Sequence, residues 1–177
     1  DISIPGVQEE LVQALLDTGK PVVVVLMNGR PLTISKLTEQ VPAIVEGWFL
    51  GTETGNAIAD VLLGKYNPSD KLTMSFPRNV GQIPVFYNYR QSGRPGTDKL
   101  TKWTNRFIDS PVSPLYPFGY GLSYTTFSYS APRVSQKEFS TNEILKVSVD
   151  VTNTGQYDGE ETIQLYIRDV IASAVSY

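Results

Sequence analysis

The 177-residue sequence contains no cysteine and no histidine. Without cysteine there are no disulfides and no thiolate chemistry. Without histidine, the usual general base, the common zinc ligand and the standard catalytic triads are excluded as well. Any acid–base work must therefore come from carboxylates, lysine or tyrosine. No apolar run approaches the ~20 residues that a helix needs to cross a bilayer, and no membrane partner is expected. A formal net charge of −3 argues against nucleic acid as the main partner. Apolar content of 41% and charged content of 19% are those of a globular chain, so the missing residue types narrow the chemistry and not the ability to fold.

Aromatic residues are plentiful, with ten tyrosines and seven phenylalanines, and they cluster. The stretch Leu115-Tyr-Pro-Phe-Gly-Tyr-Gly-Leu-Ser-Tyr-Thr-Thr-Phe127 sets aromatics among two glycines and a proline. Pro117 fixes one φ angle while Gly119 and Gly121 free two others, so the stretch is expected to be buried or clamped. It also separates two textures. Before it, apolar runs alternate with helical patterns; after it, strict alternation of period two takes over. It reads as the junction between an α/β domain and a β-sandwich.

In the first half, residues 5–18 predict a helix. Pro5 suits its first turn, Glu9 and Glu10 its positive end, and Gly19 its cap. Val7, Leu11, Val12, Leu15 and Leu16 make one apolar stripe. Residues 21–27 are a continuous β-branched run, the mark of a strand buried on both faces of a parallel sheet. Asn28-Gly-Arg-Pro31 turns the chain. A short helix over 35–40, a second buried strand over 43–49, a helix over 56–63 with Ala57, Ile58, Val61 and Leu62 inward, a turn over 66–70 and a third strand over 71–76 repeat the plan. This is the rhythm of an α/β sheet covered on both faces. Residues 79–113 break it with prolines, polar residues and isolated aromatics, and a loop of this length is usually functional or wraps a neighbour.

In the second half, Leu145, Val147, Val149 and Val151 alternate with polar residues, as do Ile163, Leu165 and Ile167. Residues 127–135 are a candidate strand before them. These read as half-buried antiparallel strands joined by the turn 153–159. Three strands fall short of the ~7 of a complete sandwich. The chain also opens at Asp1 without methionine, so a piece of a longer protein is expected.

Several stretches, in order and through nearly the whole chain, resemble the family 3 glycoside hydrolases, above all their bacterial periplasmic β-glucosidases. They are Lys20-Pro-Val-Val-Val-Val-Leu-Met-Asn-Gly-Arg-Pro31, Trp48-Phe-Leu-Gly-Thr-Glu-Thr-Gly-Asn-Ala-Ile-Ala-Asp60, Leu63-Gly-Lys-Tyr-Asn-Pro-Ser69, Lys71-Leu-Thr-Met-Ser-Phe-Pro77, Gly81-Gln-Ile-Pro84, Tyr116-Pro-Phe-Gly-Tyr-Gly-Leu-Ser-Tyr124, Thr152-Asn-Thr-Gly155 and Gln164-Leu-Tyr166. The resemblance implies residues 1–125 as the C-terminal part of an α/β sandwich domain. Residues 126–177 would be the first strands of a fibronectin type III-like β-sandwich. It implies a retaining, exo-acting β-glucosidase as the parent, acting on β-glucosides or oligosaccharides without a cofactor, in the periplasm or secreted. The catalytic barrel, with its nucleophilic aspartate, and the acid/base glutamate would lie outside this chain. A non-catalytic carbohydrate-binding or scaffold module is the alternative from another class.

Candidate residues are weighed with that in view. Retaining glycoside hydrolysis needs two carboxyl groups ~5–5.5 Å apart. Glu46, Glu53, Asp60 and Asp109 are available, but none matches a catalytic position of the family. Glu53 reads as a carboxylate at a helix start, Asp60 as locally paired or solvated, and Glu46 as needing a partner in its strand. Gly51-Thr-Glu-Thr-Gly55 lacks the Lys-Ser/Thr of a phosphate loop. The oxygen-bearing side chains Asp150, Asn153, Asp158 and Glu160 do not have EF-hand spacing. The long loop offers Arg94, Lys102, Trp103, Arg106 and Asp109, a mix of aromatic platform and charged groups that suits sugar hydroxyls. Arg94, Trp103, Arg106 and Asp109 are taken as the substrate-binding candidates, and an Arg106–Asp109 pair pinning the loop to the barrel is the plainer reading. No metal is called for.

Overall fold

The computed structural model describes residues 1–89, 93–97 and 103–169. The chain divides into two compact units. The first comprises residues 1–59, 71–120 and 164 onward, and the second residues 60–70 and 121–163.

In the first unit, helix α1 (Gln8–Leu16) starts later than the sequence suggested, because Gly6 sits at φ 62°, a left-handed value that no helix interior holds. Pro5 therefore lies ahead of the helix. Gly19, at φ 72°, closes it with its N–H on Leu16 O at 2.9 Å. The expected single apolar stripe splits in two. Val12 and Leu16 pack on the core, whereas Val7, Leu11 and Leu15 remain exposed on the neighbouring ridge.

Strands β1 (Val23–Leu26) and β2 (Ala43–Glu46) pair in parallel, Val23 opposite Ala43 and Leu26 opposite Glu46. Between them runs helix α2 (Ser35–Gln40), whose Leu37 is buried. This is the βαβ unit that the apolar runs predicted. Burial on both faces is not observed, however. Only Leu26 is buried in β1 and no residue of β2 is, because the covering residues reach the carboxyl half of the pair and leave Val23 exposed. β2 also stops short of residue 49. Trp48 takes φ 48°, which ends an extended run.

The buried apolar core is Leu26, Leu32, Ile34, Leu37, Val41 and Phe76, with Trp48, Leu72, Leu115 and Tyr116 packed against it. The predicted third strand at 71–76 does not join the sheet. It lies against the aromatic junction instead: Phe76 bridges Tyr116 antiparallel, Leu72 N donates to Tyr120 O at 2.8 Å, and Gly119 N donates to Leu72 O at 2.7 Å. Gly119, at φ 82°, makes the return possible. The junction is thus clamped, as its composition suggested. Helix α3 (Thr54–Leu62) follows a 3₁₀ turn over Gly51–Glu53. Ile58 and Val61 are half-buried, but Ala57 and Leu62 are exposed, against the inward placing expected for all four.

In the second unit, β3 (Phe127–Tyr129) pairs with β6 (Val151–Asn153), and β4 (Arg133–Val134) with β5 (Val147–Ser148), both antiparallel. The single strand expected over 145–151 is thus two short ones. Pro132 offers no N–H between β3 and β4, so the ladder is interrupted there. Ser130 spans the gap, donating from N to Asp150 O and accepting at Oγ from Asp150 N, both at 2.9 Å. Asn67 fastens the unit by accepting at Oδ1 from Ser123 Oγ (2.8 Å) and Tyr124 N (2.7 Å). Residues 163–167, read as a strand from their alternation, form none. The alternation describes faces, but a strand also needs a neighbour for its ladder, and the described residues supply none.

Candidate functional site

The long loop is held at both ends by one polar residue. Gln82, 3% exposed, lies in the 3₁₀ turn Val80–Gln82 ahead of a cis Ile83–Pro84 bond. Its Oε1 accepts from Arg78 N at 2.6 Å. Its Nε2 points at Pro111 O (3.1 Å), Val112 O (3.3 Å) and Ser113 O (2.9 Å). Arg78 adds Nε to Ser113 O at 2.9 Å. Residues 78–82 are thereby tied to 111–113. Neither Arg78 nor Gln82 was singled out from the sequence. The signal available was Gly81-Gln-Ile-Pro84, a glutamine beside two turn-forming residues.

Farther out the loop closes on itself. Asn105 N donates to Arg94 O at 2.8 Å, and a Cβ on Gly96 would stand 2.1 Å from Asn105 O, so the two arms touch at a glycine. This contact brings the Arg94 backbone beside the segment that carries Arg106. Arg106 is half-buried and directs Nη1 to Phe107 O at 3.3 Å. Among the described residues no ion pair joins it to Asp109. Asp109 and Arg94 are exposed. Trp103, 82% exposed, stands at φ 68° and presents its indole to solvent. Lys102 lies outside the described residues. The four substrate-binding candidates therefore share one loop, with two exposed charges, one exposed ring and one half-buried guanidinium.

Beside the loop's first arm is a ring cluster. Tyr87 stacks on Phe118 at 4.6 Å between centroids, and Tyr166 meets both rings edge-on at 6.1 and 6.5 Å. Gln164 holds this corner by donating Nε2 to Gly119 O at 3.0 Å. The other carboxylates stand where local structure needs them. Glu53 accepts from Asn56 Nδ2 at 2.6 Å, and Asp60 pairs with Lys65 at 3.7 Å. Asp150 receives both guanidinium nitrogens of Arg133 at 2.9 and 3.0 Å, which holds its carboxyl below the usual range. Asn153 is spent on the turn, accepting from Thr125 Oγ1 (2.8 Å) and donating to Tyr157 O (2.8 Å). Glu46 stands apart. Burial pushes its pKa up, although Trp48 N and Asn28 Nδ2 both donate to it. No two of these carboxylates are brought together as the acid and base of a hydrolysis site.

A parallel βαβ unit with a junction clamped against its core describes an α/β domain. Residues 1–124 match the glycosyl hydrolase family 3 C-terminal domain, and the chain belongs to that family. It is 55% identical over 174 residues to the periplasmic beta-glucosidase of Salmonella typhimurium, covering 98% of this chain and 23% of that protein. It is 49% identical over 177 residues to a beta-xylosidase of Formosa agariphila, covering all of this chain and 24% of that one. Among solved structures it matches the beta-glucosidase of Listeria innocua in complex with glucose at a TM-score of 0.90 and 44% identity, covering 99% of this chain and 24% of that one. The same Listeria enzyme, as a mutant, matches in complex with laminaribiose at a TM-score of 0.89. The chain thus spans about a quarter of the length of the relatives it matches.

Proposed function

We propose that this chain is part of a retaining, exo-acting β-glucosidase that removes terminal β-linked glucosyl residues. In that enzyme it walls one side of the sugar pocket and braces a catalytic barrel carried elsewhere in the same polypeptide. The observation that carries this reading is the match, end to end and at a TM-score of 0.90, to a β-glucosidase whose crystal holds glucose. The chemistry is double displacement at two carboxyl groups ~5–5.5 Å apart, through a glycosyl-enzyme intermediate. On this reading both catalytic carboxyl groups belong to the rest of the polypeptide.

On this reading residues 1–125 are the later part of the family's α/β sandwich domain. Residues 126–177 begin a fibronectin type III-like sandwich, of which β3 to β6 are the first strands. Arg94, Trp103, Arg106 and Asp109 face the sugar, Trp103 as a stacking platform and the charged groups as partners of hydroxyls. A periplasmic or secreted location follows the Salmonella relative by analogy.

A second substrate is favoured by a specific observation, the 49% identity to a β-xylosidase. Kinetics of the longer polypeptide on aryl β-glucoside and aryl β-xyloside separate the two. A higher kcat/KM on the glucoside supports the proposal. A clear preference for the xyloside replaces glucose by xylose, and binding of either sugar without turnover points to a non-catalytic carbohydrate module.

A further inference from the structure

Gln82 is fastened to the body of the domain as well as to the loop. Ser35 Oγ, at the first residue of α2, donates to Arg78 O at 2.8 Å. Arg78 N in turn donates to Gln82 Oε1 at 2.6 Å. From Gln82 Nε2 the contacts pass to Pro111 O, Val112 O and Ser113 O. Two N–H groups thus serve three carbonyls, and the amide holds the 111–113 segment as a unit. Gln82 is buried, so water does not stand ready to replace it.

The held segment meets the far part of the loop at one glycine. A Cβ on Gly96 would stand 2.8 Å from Val112 Cγ1 and 2.1 Å from Asn105 O. Gly96 is not among the glycines in the left-handed region, so space and not conformation calls for it. Asn105 N also donates to Arg94 O at 2.8 Å. Three runs of chain therefore converge at Gly96: 94–96, 103–106 and 111–113. The first two carry Arg94, Trp103 and Arg106, and the third is the one that Gln82 holds.

We propose, on the reading above that Arg94, Trp103 and Arg106 face a sugar, that Gln82 and Gly96 are positioning residues for that sugar. The buried amide sets Val112, Val112 and Asn105 form the seat of Gly96, and the seat sets the backbone that bears the three side chains. Neither Gln82 nor Gly96 touches substrate. Binding groups on a loop depend on such a supporting layer, because a misplacement of about 1 Å can cost ~100-fold. Loss of the seat weakens the hold on substrate and on transition state alike, which raises KM and leaves kcat near its wild-type value.

The test uses the longer polypeptide with Gly96→Ala, Gln82→Ala and Trp103→Ala, and two readouts. The first is hydrogen exchange by mass spectrometry in peptides covering residues 103–113, well below the melting temperature. Gly96→Ala and Gln82→Ala should both speed exchange there, since the Asn105 N–H loses its hold on Arg94 O. The second is kinetics on an aryl β-glucoside. Gly96→Ala should raise KM ~10- to 100-fold with kcat within about twofold. In a Trp103→Ala background the same substitution should raise KM by a smaller factor, because both act on one contact. Unchanged exchange in Gly96→Ala, unchanged KM in a polypeptide that turns over, or strict additivity with Trp103→Ala overturns the proposal. A wild-type polypeptide without turnover defeats the β-glucosidase reading instead. Faster exchange then still supports the seat, and unchanged exchange still overturns it.

Discussion

Gln82 makes one side chain do the work of a loop base. Its amide satisfies both arms at once, which a smaller residue cannot do. Gln82→Ala leaves the Arg78 N–H and up to two carbonyls, those of Pro111 and Val112, short of a partner, since Ser113 O keeps Arg78 Nε, and should cost on the order of 2–4 kcal/mol. Melting of the longer polypeptide checks this, and Gln82→Glu, which keeps the acceptor and loses the donors, should fall between Ala and wild type. Farther out, Arg106→Ala removes a charge-assisted donor. If its guanidinium meets substrate, kcat/KM should drop ~10- to 150-fold, the equivalent of about 1.5–3 kcal/mol. Asp109→Asn keeps shape and removes charge, and should lower kcat/KM with melting unchanged. Normal kinetics in both variants would remove this loop from the pocket. At this scale the sequence was a partial guide. The charged and aromatic residues of the loop stood out by type, whereas Gln82 did not, because an isolated polar residue carries no pattern that announces burial. Glu46 was noticed as needing a partner, but its partner Asn28 lies 18 positions away and only the parallel register brings the two together.

Among the elements, the first strands and helices were legible because each has its own period. β1 falls within the β-branched run and α1 within the predicted helical segment, each shorter than the sequence suggested. What the sequence misplaced depends on pairing. Residues 71–76 look like a strand and behave as one side of a clamp, because the partner they find is the glycine-hinged junction 115–120 and not β1 or β2. Residues 163–167 have the alternation of a strand and no ladder among the described residues. Phe76 is the centre of the clamp, 1% exposed and in contact with the rings of Trp48 and Tyr116. Phe76→Ala should therefore cost about 3–5 kcal/mol, read as a lower denaturant midpoint. Phe76→Leu, which keeps most of the volume, should recover more than half of that loss.

At the scale of the molecule, the buried apolar core is small for the apolar surface left outside it. Ile108, Phe49, Trp103 and Ile144 are each more than 80% exposed, and the ridge of α1 adds three more apolar side chains. Exposed apolar surface on this scale marks contact with other protein. The 177-residue chain by itself should therefore associate and melt broadly, as sedimentation and calorimetry would show. A monomer with one sharp transition would mean that these faces need no partner. Function at this scale was legible only through motifs spread along the chain, the stretches that also carry the match to the family 3 C-terminal domain.

The most direct test of the whole account is proton NMR of the first product formed from an aryl β-glucoside. It should be run once with the longer polypeptide and once with the 177-residue chain. The account predicts β-glucose as the initial anomer from the former and no turnover from the latter. α-Glucose appearing first, or hydrolysis by the 177-residue chain alone, would contradict it.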